Sequence, residues 1–405
     1  MDNKLLLRAT EIYGSPIYLY DLEKIKSQVN KFNASFKSIS NIKVQYAAKA
    51  LSNISILKFI KNLNCGLDAV SIQEIKLGIT AGFKAKDIIY TPNGVSIEEI
   101  KEAVKLGVKV NLDSIESITE FSKSFSNESI FIRVNPNIFD GGSNKTRVGH
   151  SESKFGIPVN QIERLVKMEK ENKISIDGIH VHSGSDISNI NSFIKGAKTV
   201  FNLALQFKNI KFIDLGGGYK VPYFKGDSYT DMEELGNKIS IEFNNFKKEC
   251  KKDIGLIFEP GKYLVSEAGF FLTKVNYVKE GPKNKFAQIN SGFNHFIRPA
   301  FYNSFHEIEN ISNSMAKKEK YSVVGYICEN DTFAEDRELS KINKGDILCF
   351  KNAGAYGFSM SSNYNSRFTP AEVCFYNNEF NLIRKGQEMN ELLSNQIIID
   401  FLKTW

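Results

Sequence analysis

From about residue 43 to residue 262 the chain alternates short apolar runs with longer stretches in which apolar residues recur at helical spacing. Eight runs can be counted: VQYAAKA from Val44, CGLDAVS from Cys65, DIIYTPN from Asp87, KVNLDS from Lys109, SIFIRVNP from Ser129, ISIDGIHVHSG from Ile174, KFIDLGGG from Lys211 and GLIFEPG from Gly255. Alternating with helices, such runs suit the strands of a parallel sheet with helices outside it. Between them, SIQEIKLGITAGF sets Ile72, Ile75 and Ile79 on one face with Lys76 opposite, and SIEEIKEAVKLG does the same with Ile97, Ile100, Val104 and Leu106. Ser71, Ser96 and Ser114 each stand just before a helix as N-caps. Glu74 and Glu99, three residues on, predict capping boxes at the first two, and Ser117 makes the third an exception. Eight strand-helix units closing on themselves predict a (β/α)8 TIM barrel, an α/β fold.

After about residue 263 the texture becomes β-rich and turn-rich, in LVSEAGFFLTKVNYVKEG, KFAQINSGF, YSVVGYICEN, GDILCFKNAG and AEVCFYNNEFNLIRKG. The last carries Asn377-Asn378, a hairpin signal. GSPIYLYD near the N-terminus is strand-like and is expected to pair there. The expected domains are therefore a barrel over 23–262 and a C-terminal β-domain of 263–405 joined by 1–22.

Composition narrows the class. The 405 residues are 42% hydrophobic and 24% charged, a core-forming mixture without a long polar tract. No run reaches the roughly 18 to 20 apolar residues of a membrane span, and the N-terminal run is too short for a signal segment, so a cytoplasmic location is expected. Five cysteines, scattered and without a CxxC pair, argue against a disulfide framework or structural zinc. The net charge of +7 is spread over helical faces rather than gathered in a basic block, which argues against nucleic-acid binding.

A barrel's chemistry sits where its strands end. Those ends carry Lys49, Asp68, Asn93, Asp113, Arg133 with Asn135, His182 with Ser185, a triple glycine and Glu259. Lys49 in YAAKA is either a rim lysine whose head reaches water or, if desolvated, an amine fit for Schiff-base chemistry. Gly216, Gly217 and Gly218 make either a tight turn or a backbone cradle for a phosphate. Glu259 in EPG is either a capping acid or a carboxylate able to keep a pyridine nitrogen protonated. His180 and His182 share strand spacing but lack a third donor at obvious spacing, so one packed ring and one ring stacked on a ligand is the better reading than a metal. Cys328 is either a core thiol or a proton donor.

In order, PIYLYD, YAAKA, GLDAVSIQE, IRVNP, SKFGI, GIHVHSGSD, DLGGG, EPGK, IRPAFY, CENDTF and GAYGFSMSSNYNSR resemble the fold-type III pyridoxal-phosphate decarboxylases across nearly the whole chain. Within that class they resemble the diaminopimelate decarboxylase family. The resemblance implies an alanine-racemase-like arrangement of barrel and β-domain, and decarboxylation of meso-2,6-diaminopimelate to L-lysine, the last step of lysine biosynthesis. It implies that Lys49 binds pyridoxal 5'-phosphate covalently, that His182 stacks on its ring and that Glu259 pairs with its nitrogen. Ser185 and Gly216 to Gly218 would hold the phosphate, with Asp68, Arg133 and Gly261 also on the cofactor side. Cys328 would be the proton donor. Arg298, Tyr302, Glu329 and Tyr356 would contact substrate, with Tyr356 also near the phosphate. Cys328 and Glu329 would come from the partner subunit, which implies a homodimer with shared active sites.

Charge logic points the same way, because the far end of diaminopimelate carries an ammonium and a carboxylate and so calls for both an acid, Glu329, and an arginine, Arg298. Family members usually have EPGR where this chain has Lys262, and many have a proline after the glycine of GYICE. Lys262 keeps the charge of a substrate contact without bidentate geometry, leaving a decarboxylase of ornithine, arginine or a polyamine precursor as the alternative enzyme. An alanine racemase would place arginine, not Glu259, at the ring nitrogen. A non-catalytic pyridoxal-phosphate-binding homologue would be expected to lack Lys49 or Cys328.

Overall fold

The computed structural model describes residues 1–125, 128–137, 153–182 and 184–400. Ser183 and most of the GGSNKTRVGHSESK loop lie outside these. The chain divides into two compact units, Glu23–Glu267 and Met1–Leu22 with Ala268–Trp405. In chain order the strands are β1 (Ile17–Asp21), β2 (Ile42–Ala47), β3 (Gly66–Ala69), β4 (Ile88–Tyr90), β5 (Lys109–Leu112), β6 (Ser129–Asn135), β7 (Ile157–Pro158), β8 (Ser175–His180), β9 (Phe212–Asp214) and β10 (Gly255–Phe258). They continue as β11 (Gly269–Glu280), β12 (Lys285–Ile289), β13 (Ile308–Asn310), β14 (Lys318–Val324), β15 (Thr332–Ser340), β16 (Ile347–Phe350), β17 (Ala371–Tyr376) and β18 (Glu379–Arg384).

In the first unit eight parallel strands run β5-β4-β3-β2-β10-β9-β8-β6, and β5 pairs with β6 to close the ring; β7 is a short addition beside β6. This is the expected TIM barrel. Its floor is apolar: Ile89, Phe131 and Ile257 form one buried cluster with Phe212 against it. Gly178 in β8 makes that possible, since a Cβ there would stand 2.3 Å from the Phe131 ring. At the strand starts Lys109 Nζ donates to Ser129 O (3.1 Å), Ser129 Oγ (2.9 Å) and Asp177 Oδ2 (3.0 Å), tying β5, β6 and β8 together. The helix Lys262–Val265 stays with the barrel, because Gln28 Nε2 donates to Tyr263 O at 3.1 Å and to Glu267 Oε2 at 2.9 Å.

Ser71, Ser96 and Ser114 are N-caps, their side chains accepting from the backbone N–H groups of Glu74, Glu99 and Ser117. The reciprocal half of the capping boxes differs. Glu74 Oε2 accepts from Val70 N (2.8 Å), and Glu99 Oε1 accepts from the Tyr90 hydroxyl (2.5 Å). The face of helix Ile72–Ala81 is also displaced, with Ile72, Ile75, Gly78 and Ala81 buried and Ile79 exposed. Gly78 is the reason: a Cβ there would lie 2.4 Å from Leu67 Cδ2, so the helix rests on β3 through its small residues.

In the second unit one sheet runs β15-β14-β12-β11-β1-β17-β18, with β16 beside β11 and β13. β1 pairs with β11 antiparallel and with β17 parallel, as expected for PIYLYD. Its side chains alternate. Ile17 and Leu19 enter a core with Leu6, Leu272, Cys349 and Val373, while Tyr18 stacks on Phe271 at 4.7 Å. The Asn377-Asn378 turn joins β17 to β18 with both residues at positive φ (51° and 63°), the geometry of a type I′ hairpin.

Candidate active site

Strand order brings the barrel's polar ends together. β2 ends in the turn Ala48–Ala50 carrying Lys49; β3 beside it carries Asp68, and β10 on its other side runs into Glu259. β9 leads into Gly216 and β8 into His182. The alanines of YAAKA have a steric purpose, since a Cβ on Gly261 would lie 3.0 Å from the Ala47 Cβ and 3.1 Å from that of Ala50. Larger residues there would push the EPG turn away from Lys49.

Lys49 Nζ is 3.1 Å from Asp68 Oδ2, a carboxylate 1% exposed. Burial drives Asp68 upward and Glu259 adds to the rise, while Lys49 opposes it. Glu259 behaves differently. Burial alone would raise it, but His180, through its hydrogen bond, and Lys49 outweigh burial and hold it below the ordinary carboxylate range. Asp214 absorbs the strain of two buried acids: burial, then the charge of Glu259, pushes it well above that range. The pair's negative charge therefore sits on Glu259.

Glu259 Oε2 accepts a hydrogen bond from His180 Nε2 at 3.1 Å, and Asn111 Nδ2 lies 2.8 Å from His180 Nδ1. Asn111 can only donate through Nδ2, so Nδ1 is the acceptor and Nε2 carries the proton given to Glu259. Glu259 Oε1 is buried without a hydrogen-bond partner. His180, Asp214 and Glu259 offer ligand atoms within 4.8 Å of one another. Because both nitrogens of His180 are engaged, this trio acts as a support for Glu259. Sequence spacing points to His180 only as a packed ring, and it gives Asn111 and Asp214 no part.

His182 Nδ1 accepts from Gly217 N (3.2 Å), which fixes the ring's tautomer. Burial, then Arg133 and Lys49, push this imidazole well below its ordinary value, so it is neutral at pH 7. Arg133 is buried with its guanidinium 4.7 Å from the Phe155 ring. The glycine triplet is required by close backbone approaches. A Cβ on Gly217 would fall 2.1 Å from Glu259 O, and on Gly218 2.0 Å from Gly184 O. The N–H groups of Gly216 and Gly217 turn inward, to Asp214 Oδ1 (2.9 Å) and His182 Nδ1, so the cradle expected from three glycine N–H groups is narrower than the motif suggests. Ser185 Oγ donates to Asp186 Oδ2 (3.3 Å), whose other oxygen pairs with Lys262. Lys262 is 7% exposed, so its ammonium is already held by Asp186 inside the barrel unit.

The β unit holds the remaining sequence-predicted residues. Arg298 lies 5.7 Å from the Tyr302 ring and 5.8 Å from the Tyr356 ring, and its Nε donates to His306 Nε2 (3.2 Å). Tyr356 adopts φ 56°. Cys328 and Glu329 are exposed neighbours. The Tyr364 hydroxyl donates to Glu329 Oε1, and that bond, with the charge of Glu329, pushes the phenol up to about 12. Tyr364 and Asn365 belong to this cluster, although in the sequence they stand out only as part of a longer motif.

A family model for the pyridoxal-dependent decarboxylase pyridoxal-binding domain matches residues 22–266. The diaminopimelate decarboxylase of Methanothermobacter thermautotrophicus is 35% identical over 396 residues, covering 95% of this chain and 92% of that protein. The chain belongs to the diaminopimelate decarboxylase family. Among solved structures, a diaminopimelate decarboxylase of M. jannaschii in co-complex with L-lysine matches with TM-score 0.90 and 31% identity, over 97% of this chain and 94% of that one. The Helicobacter pylori diaminopimelate decarboxylase complexed with L-lysine gives TM-score 0.88 and 30% identity, over 96% and 98%.

The family is pyridoxal-dependent, and the residues at the barrel rim fit that cofactor. Lys49 would supply the amine, and Glu259 would offer the ring nitrogen an ionised acceptor oriented by His180. The glycine turn comes too close to neighbouring backbone for a side chain, as a backbone cradle for a phosphate would require. No helix among the described residues is long and apolar enough to cross a membrane.

Proposed function

We propose that this chain decarboxylates meso-2,6-diaminopimelate to L-lysine and carbon dioxide, with pyridoxal 5'-phosphate held by Lys49. The observation that carries the reading is Glu259, buried, ionised and oriented by His180 at the rim that Lys49 shares. Bound there, the cofactor supplies a conjugated ring that accepts the electron pair released as carbon dioxide departs. Glu259 keeps the ring nitrogen protonated, and His180 keeps Glu259 oriented. Neutral His182 offers a flat face for the ring without adding positive charge. Ser185 and Gly218, with Asp68, Arg133 and Gly261 around them, complete the cofactor side. Lys262 would bind a substrate carboxylate in competition with its pair to Asp186.

Cys328 returns a proton to the carbon that has lost carbon dioxide. Arg298 and Glu329 recognise the carboxylate and ammonium at the substrate's far end, with Tyr302 and Tyr356 beside Arg298. The exposure of Cys328 and Glu329 in the single chain supports their serving the partner subunit of a homodimer. Five free cysteines suit a cytoplasmic enzyme.

The test is carbon dioxide and L-lysine production from meso-diaminopimelate by purified protein with added cofactor. Cofactor binding without either product would overturn the substrate. Lys49→Ala should remove the cofactor's visible band in the protein-bound state and all turnover; a persisting band would overturn Lys49 as its attachment. Mixing inactive Lys49→Ala and Cys328→Ala subunits should restore about a quarter of wild-type activity, since half of randomly formed dimers carry one intact shared site. A mixture as inactive as its parts would overturn shared sites.

A further inference from the structure

Cys328 is held by a residue that no part of the proposed reaction requires. Asn365 lies 37 residues away, yet its carboxamide meets Cys328 twice: Oδ1 accepts from the Cys328 backbone N–H at 3.2 Å, and Nδ2 stands 3.3 Å from Sγ. The orientation of the amide is not arbitrary. A backbone N–H only donates, so Oδ1 must face it, and the N–H of Nδ2 is thereby aimed at sulfur.

Both loops are built to keep this contact. On the Cys328 side, Asp331 Oδ2 accepts from Ile327 N (3.1 Å), and its Oδ1 accepts from Phe293 N (2.8 Å). On the other side, Asn365 and Ser366 both take left-handed φ values of 55° and 54°, which non-glycine residues adopt only when their surroundings hold them. Three contacts do so here. Tyr364 stacks on Phe293 at 5.7 Å, Asn363 Nδ2 donates to Arg367 O at 2.8 Å, and the Arg367 guanidinium lies 4.0 Å from the Tyr326 ring. Asparagine, like aspartate, tolerates that backbone region better than most non-glycine residues.

We propose that Asn365 is a positioning residue for the proton donor, aiming the Cys328 side chain through its backbone N–H and stabilising the sulfur anion that proton donation creates. In the donation step the S–H bond breaks, a C–H bond forms at the carbon that has lost carbon dioxide, and the S–H electron pair stays on Sγ. An N–H directed at that sulfur strengthens as the charge appears, so it lowers the barrier more than it stabilises the thiol before transfer. Glu329, one residue on, opposes a sulfur anion, and the Tyr364 hydroxyl bonded to Glu329 moderates that opposition.

This inference rests on Cys328 being the acid, and the experiment separates the two. Asn365→Asp retains an oxygen for the Cys328 N–H but replaces the N–H at sulfur with a carboxylate oxygen; Asn365→Gly retains the backbone conformation and removes both contacts. Alkylation of Cys328 by iodoacetamide is followed by mass spectrometry against pH in the holoenzyme, alongside steady-state kinetics. In Asn365→Asp the alkylation midpoint is expected to move alkaline by about one pH unit, a tenfold loss of reactive thiolate at fixed pH. The turnover number should fall about tenfold with KM within twofold, because the affected charge forms after substrate binds. A merely structural role would leave the alkylation profile of Asn365→Gly, which removes the N–H without adding charge, on the wild-type curve, and that result overturns the proposal. Wild-type turnover in Cys328→Ser would instead overturn the assignment of the acid itself.

Discussion

Replacing Gly217 with alanine tests how tightly the glycine turn and Glu259 are built into one another. Gly217 does not sit at positive φ, so alanine meets no conformational penalty there and the effect is steric. The added Cβ would lie 2.1 Å from Glu259 O, where ordinary contacts begin near 3.4 Å, so one backbone must yield by more than 1 Å. Neither is free to do so. Glu259 N donates to Gly216 O at 2.8 Å, and β10 is bonded on both sides, to β2 and β9. Overpacking of this kind costs about 3 kcal/mol. Expressed at the cofactor site, that is roughly a hundredfold loss of pyridoxal-phosphate affinity. Gly82→Ala is the control. Gly82 has φ +97° and nothing within 4 Å of where a Cβ would stand, so it bears only the left-handed penalty of about 1 kcal/mol, far from the rim. Absorbance titration of cofactor-free protein measures both variants. Cofactor affinity within twofold of wild type in Gly217→Ala, or equal weakening in Gly82→Ala, would refute the reasoning.

Two further outcomes concern stability. Lys109→Met strands the buried Asp177 carboxylate and should destabilise the barrel by about 3 kcal/mol, with much of the loss recovered when Asp177→Leu is added; denaturant unfolding of the single and double variants checks this. Burial pushes the His295 imidazole down to about 4, so between pH 6.5 and 4 the unfolded chain takes up a proton that the folded one refuses. Stability therefore falls as pH drops through that window, by about 1.4 kcal/mol per unit once well below 6.5. His295→Gln should flatten the unfolding free energy against pH by about 3 kcal/mol at pH 4 relative to wild type, and an unchanged slope would contradict the assignment.

What can be read from the chain is whatever strand periodicity and strand ends determine. Lys49, Asp68 and Glu259 each follow an apolar run, so a closed barrel must bring them to one rim, and the eight runs are visible without knowing their order. The Asn377-Asn378 hairpin is equally local, because a two-residue turn fixes its own geometry. Contacts that depend on which surface a helix chooses are less legible. Ile79 has the right period for burial, but Gly78 lets the helix approach Leu67 more closely on an adjacent face, and period alone does not weigh size.

The larger gap lies in the support behind the candidate rim, and it has one cause. His180 reaches Glu259 across 79 positions of sequence and Asn111 across 69, through strands that are separated in the barrel order. Spacing therefore carries no trace of these pairs, and inward-pointing polar residues read as isolated exceptions within apolar runs. Lys262 illustrates the same limit from the other direction. It follows EPG directly and invites comparison with substrate contacts, whereas its ammonium is paired with Asp186, a residue at φ 59° in the loop after β8. Any pull that Lys262 exerts on a substrate carboxylate must compete with this pair, so Asp186→Asn should strengthen a role of Lys262 in carboxylate binding and lower KM if that role exists. An increase in KM would instead make Asp186 the group that holds Lys262 in its productive position.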